Sequence, residues 1–235
     1  NLLHTVRNPQ QAARDVVKTA LSVGRMLAPT TTPKSSVMVG RMTASNYRLV
    51  EVPMDSLRAA AKAARDFAEA EITPKIAEWD KQTYFPVELM PKLGELGVFG
   101  LVVPEEYGGS AGAGGEFTYL CLAIEELGRV DQAMGITLEA GVGLGINPIL
   151  SYGTAEQKQQ WLPDLAAGRT LAGFGLTEPE AGSDAGGTKT KAEVVDGQWV
   201  VNGSKAFITN SGSSITSVVT VTARTGTRDN GTPEI

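Results

Sequence analysis

Gly173 to Ala192 reads GFGLTEPEAGSDAGGTKTKA. Thr177 and Ser183 supply short hydroxyl donors there. Gly182 and the pair Gly186-Gly187 let backbone approach a bound molecule closely. Together these residue types suit a phosphate-bearing or polar-ring ligand. They also suit a polar turn, which uses the same Gly, Pro, Ser and Asp.

Other motifs carry weaker chemistry. GVGLGINP, residues 141–148, has a Gly-x-Gly-x-Gly spacing and no strand before it, so it reads as small residues for close helix packing rather than a dinucleotide fingerprint. GGSAGAGG, residues 108–115, has the composition of a phosphate cradle and also of a flexible connection, and we favour the connection. The paired carboxylates of PEE and IEEL belong on solvated helix faces. One cysteine, Cys121, and one histidine, His4, leave no disulfide framework, no zinc site and no ready Ser-His or Cys-His nucleophile scheme.

The elements that must position these residues fall into two kinds. Helical periodicity runs from Asp55 to Ile72, with Leu57, Ala61, Ala64, Phe67, Ala68 and Ile72 on one stripe. Further helices are expected over 86–96, 116–127 and 133–152, and from a Thr154 cap with Gln157 to about Ala166. In the helix over 116–127, Phe117, Leu120, Ile124 and Leu127 should face inward, and Cys121 should pack as a small hydrophobe. After Thr170 the period changes. TLAGFGL reads as a strand, and KAEVVDGQWVVNG as a hairpin turning at Asp196-Gly197. SKAFITN and ITSVVTVTA read as further strands. Helices followed by strands imply an α+β chain of two packed domains rather than a parallel α/β sheet.

Residues 1–41 differ from the rest. Arg7, Arg14, Lys18, Arg25, Lys34 and Arg41 face a single Asp15, a local charge of +5 that leaves −10 on the remainder of a chain of total −5. An amphipathic helix over 8–27 and a linker, APTTTPKSS, resemble an organelle transit peptide; a docking helix or an upstream extension before Met42 are the alternatives. The expected location is cytoplasmic, or the mitochondrial matrix if the leader is a transit peptide. The acidic balance, with a sequence pI of about 5.1, argues against nucleic acid as the main partner. No apolar run is expected to span a membrane. The start at Asn1 and the stop at TPEI suggest a fragment.

GLTEPEAGSDAGG and NGSKAFITN together resemble the acyl-CoA dehydrogenase family, as its long signature and its second flavin-binding segment. VPEEYGG, EELGR and YGTAEQKQQWLPDLAAG fit that family's helical domain, so the resemblance covers about residues 50–235. It implies an N-terminal all-α helical domain over 42–169. A middle β domain, antiparallel and barrel- or sandwich-like, would follow over 170–235 and be incomplete, and a C-terminal helical domain would be missing. FAD is the implied cofactor, and α,β-dehydrogenation of an acyl-CoA thioester the implied reaction. An electron-transfer flavoprotein would be the acceptor and a homo-oligomer, dimer or tetramer, the assembly. An acyl-CoA oxidase or flavin monooxygenase on the same fold, or a non-catalytic partner subunit, are the alternatives.

By the same resemblance Phe174, Gly175, Leu176 and Thr177 contact the flavin, Leu176 and Thr177 at its pyrimidine edge. Gly182 permits close approach, and Ser183 donates to the pyrophosphate or to adjoining substrate. Phe207, Ile208 and Thr209 pack beside the ring, with the Thr209 hydroxyl directed to N5. Many family members have Trp where this chain has Phe207, so the indole N–H is lost. Glu139 falls where some relatives place the base of the acyl pocket; a solvent-facing or buried paired role is the alternative. Asp184 reads as a turn anchor. The catalytic base is expected in the missing domain, so no residue here is assigned that role.

Overall fold

The computed structural model describes residues 36–42, 47–112 and 114–235. The expected leader helix over 8–27 and His4 lie outside the described residues. A hairpin comes first: β1 (Ser36–Met42) pairs antiparallel with β2 (Tyr47–Pro53). The expected domain boundary at 41/42 therefore falls within a strand.

The helical layer follows. α1 (Met54–Phe67) continues as a π-helical stretch, Ala68–Ile72. α2 (Ile76–Gln82) and α3 (Leu89–Glu95) are short. α4 is Glu116–Val130 and α6 is Ala155–Ala166. Between them α5 (Gln132–Tyr152) is one long helix with a π-helical centre, Ala140–Ile146. Local chemistry sets the starts. The Asp131 side chain accepts from Ala133 N at 2.9 Å. Thr154 and Gln157 form a reciprocal capping box.

These helices close on one core of Leu89, Met90, Phe99, Leu127, Leu138 and Leu162, all fully buried. Each such side chain contributes about 1.5–3 kcal/mol of burial. A buried charge clamps α1 to α4. Glu126 accepts from Arg65 Nε at 2.8 Å and from Arg65 Nη2 at 2.5 Å, and Arg129 bridges Glu126 and Glu69. Hydrogen bonding from Arg65 holds the Glu126 carboxyl below its ordinary range. Glu126 is thus not on a solvated face, as the IEEL pair suggested, whereas Glu125 is exposed.

Two further expectations fail on the same helix. Phe117 is exposed, and so is Cys121. The buried stripe runs Tyr119, Leu120, Ala123, Glu126, Leu127, leaving Phe117, Cys121 and Glu125 in line on the outer side at four-residue spacing. α5 matches the helix expected over 133–152 to within one residue, but no apolar run was expected to reach membrane-spanning length, and by length and composition this one could cross a membrane. Here Met134, Leu138, Val142 and Ile146 spend one side of it on the core.

The sheet region is partial, and among the described residues no barrel closes. β3 (Leu171–Gly175) pairs with β6 (Thr216–Val221) in parallel, with a register shift after Leu171. β4 (Lys191–Val195) and β5 (Gln198–Asn202) form the expected antiparallel hairpin. Its turn residues Asp196 and Gly197 have φ 51° and 77°, as a type I′ turn requires. β7 (Gly226–Thr227) pairs antiparallel with β8 (Pro233–Glu234). The expected strand over SKAFITN is absent. Phe207 and Asn210 both adopt left-handed φ, 55° and 66°, which no ladder accommodates.

Candidate functional site

The site lies where β3 ends and the Lys205–Asn210 segment crosses it. Ala206 N donates to Thr177 O at 2.9 Å. Gly173 and Gly175 let the two segments touch: a Cβ on Gly173 would sit 3.1 Å from Ile208 Cγ2, and one on Gly175 would sit 3.3 Å from Lys205 Cγ. The fold therefore unites Phe174, Gly175, Leu176 and Thr177 with Ile208 and its neighbours Phe207 and Thr209.

Their exposure is graded. Gly175 is buried, Phe174, Thr177 and Ile208 are half-buried, and Leu176 and Thr209 are exposed. Phe207 is 93% exposed. The ring is thus bare, on a backbone of left-handed φ, 55°.

Gly182 and Ser183 lie exposed beyond a tight turn in which Glu178 and Ala181 exchange backbone hydrogen bonds. Asp184 O accepts from Gly187 N at the next turn. Glu139 is exposed on α5 with its carboxylate over Gly143. It is tied to the site indirectly. Asn210 Nδ2, buried, donates to Thr137 O at 3.0 Å, two residues before Glu139, and Asn210 Oδ1 has no hydrogen-bond partner.

Sequence reasoning passed over the most connected pair. Lys205 Nζ lies 2.8 Å from Glu178 Oε1, with the two side chains 6% and 3% exposed. The same ammonium donates to Leu176 O at 2.9 Å and to Thr222 Oγ1 at 3.1 Å. Glu178 also accepts from Lys189 N and Thr190 N. The bond from Lys205 leads the effects that push its carboxyl down to about 2. The available signal was opposite charge in two quoted motifs, TEPEAGSD and NGSKAFITN.

Two glycine runs prove structural. Gly112 N and Gly114 N both donate to Glu116 Oε1, so the carboxylate that starts α4 already fills that nest. Gly145 packs on Ala172, where a Cβ would come within 2.7 Å of the alanine methyl; Gly141 packs on Phe99.

Comparison with known proteins now decides the family. Residues 54–169 match the acyl-CoA dehydrogenase N-terminal domain and residues 173–234 the acyl-CoA dehydrogenase middle domain. The chain belongs to the acyl-CoA dehydrogenase family. It is 47% identical to the probable acyl-CoA dehydrogenase YngJ of Bacillus subtilis, over 71% of this chain and 43% of that protein. Butyryl-CoA dehydrogenase from Megasphaera elsdenii superposes with TM-score 0.68 at 41% identity, covering 74% of this chain and 45% of that one. Glutaryl-CoA dehydrogenase from Mycobacterium smegmatis in complex with FADH2 superposes with TM-score 0.67 at 34% identity, covering 72% and 42%. This acyl-CoA dehydrogenase chain thus spans less than half the length of those relatives.

Proposed function

We propose that this chain supplies the helical and middle-domain share of an FAD-dependent acyl-CoA dehydrogenase. The observation that carries this is the meeting of residues 174–177 with 205–209 around an uncovered Phe207 ring. These residues fit the ring of a flavin: an aromatic surface, hydroxyl donors, and glycine-permitted backbone approach. The chemistry FAD supplies when bound is two-electron acceptance.

The chain's own residues bind and orient. With FAD bound, Leu176 and Thr177 would meet the pyrimidine edge, Phe207 and Ile208 would pack beside the ring, and the Thr209 hydroxyl would donate toward N5. Donors there would stabilise negative charge on the ring as it accepts electrons. Gly182 and Ser183 receive the pyrophosphate or adjoining substrate. Glu139 floors the acyl pocket from α5. Glu178 is no base for the α proton, because it is buried, ion-paired and acidic. No residue of this chain is assigned as that base, and an electron-transfer flavoprotein takes the electrons.

Ser183→Ala and Thr209→Val in the full-length protein test the reading. Each removes a hydrogen bond worth about 1–3 kcal/mol, so FAD retention weakens or flavin reduction slows. Unchanged occupancy and reduction rate in both variants would defeat it. Glu139→Gly tests the pocket floor: the acyl-length profile should move toward longer chains, and an identical profile removes Glu139 from the pocket.

A further inference from the structure

Lys205 has three N–H donors, and all three are spent: on Leu176 O, Glu178 Oε1 and Thr222 Oγ1. None is left for a ligand, so its charge reaches the site only through what it holds. A buried ion pair is poor evidence of stability, because desolvation offsets the attraction. What distinguishes this one is its third party. Leu176 O belongs to the same peptide unit as Thr177 N–H, on the segment assigned above to the pyrimidine edge. A donor on a carbonyl shifts electron density from the amide nitrogen and strengthens its N–H as a donor. A charged donor does so more strongly than a neutral one. The carbonyl of the next residue, Thr177, is fixed by Ala206 N, so the peptide is held on both sides.

We propose that Lys205 is a positioning residue that orients and polarises the 176–177 peptide, making Thr177 N–H a stronger donor to the reduced flavin than to the oxidised one. This rests on the flavin assignment above. Glu178 supplies the compensating charge that keeps the ammonium buried and aimed. Thr222 fills the remaining donor and has no part in the polarisation.

The test uses the full-length flavoprotein and the pair Lys205→Met with Glu178→Gln, which removes both charges at near-constant volume. The flavin midpoint potential is measured, and so is the affinity for oxidised FAD. The expected result is a loss of about tenfold in preference for reduced over oxidised flavin, a fall of about 30 mV for a two-electron couple. Affinity for oxidised FAD should change less, and Thr222→Val should keep the wild-type potential. A folded, FAD-loaded double variant at the wild-type potential overturns the proposal. An equal fall in Thr222→Val also overturns it, since loosening would then be the cause. Should the double variant not fold, a crystal structure of the wild-type holoprotein decides. Thr177 N within hydrogen-bond distance of the flavin, with Lys205 Nζ on Leu176 O, supports the proposal, and either contact missing overturns it. A wild-type protein that takes up no FAD defeats the flavin assignment itself, a separate result.

Discussion

The helical region and the sheet region treat apolar side chains in opposite ways. In the first, Phe99, Leu127 and Leu138 are sealed, and the polar exceptions, such as Glu126, are tied by Arg65. In the second, Val194, Trp199, Val201 and Phe207 stand exposed, Trp199 at 64%. Order in the sheet region comes instead from a polar knot, Lys205 with Glu178, Leu176 and Thr222. The helical region closes on itself, whereas the sheet region in this chain leaves apolar side chains open.

Four substitutions or titrations break or sharpen that contrast. The largest effect is expected from Phe99→Ala. It empties the centre of the helical core, and about 3–5 kcal/mol of stability should disappear in denaturant titration. A loss below about 1 kcal/mol would mean the core is far looser than its burial implies.

Gly145→Ala comes next and probes the seam between the regions. The added methyl meets Ala172 at 2.7 Å, so overpacking should cost about 1–3 kcal/mol. A neutral result would show that α5 and β3 separate easily.

The polar knot should make the sheet region acid-sensitive. Glu178 titrates at about 2 when folded, against 4.5 ordinarily. Its folded value is the lower one, so its stabilisation is complete above pH 4.5 and drains away as pH falls toward 2. Urea midpoints measured across that window should fall, and Glu178→Gln should flatten that part of the curve. An unchanged slope in the variant would remove Glu178 from the acid response.

The smallest stability effect is expected from Phe207→Ala. The ring is 93% exposed, so the melting midpoint of flavin-free protein should move by no more than about 0.5 kcal/mol equivalent. FAD retention should fall in the same variant. A large melting shift without flavin would make Phe207 a core residue after all.

Much of this was legible in the chain itself. The Thr154–Gln157 capping box and the Asp196-Gly197 turn are local, so a few residues decided them. The α1 stripe was legible for the same reason, since one helix face repeats every three to four residues. GLTEPEAGSDAGG and NGSKAFITN stood out through their resemblance to the family, since composition alone left the first open between a ligand loop and a polar turn. The orientation of α4 was not legible, because Phe117 and Tyr119 are both plausible inward residues until α1 supplies Arg65 opposite Glu126. SKAFITN looked like a strand because its residue types favour one. Its contacts are to Thr177, Leu176 and Thr137, each far away in sequence, and they impose left-handed turns at Phe207 and Asn210.

The sequence by itself determined the helix-then-strand order, the caps, the hairpin turn and the family, because each rests on near neighbours or on motif identity. Only the tertiary structure decided that β3 and β6 run parallel, that Lys205 and Glu178 meet, and that Asn210 ties the 205–210 segment to α5. Those depend on which distant groups share a buried space. There an unpaired ammonium or carboxylate is too costly to leave alone, and that cost acts only once the chain has closed around it.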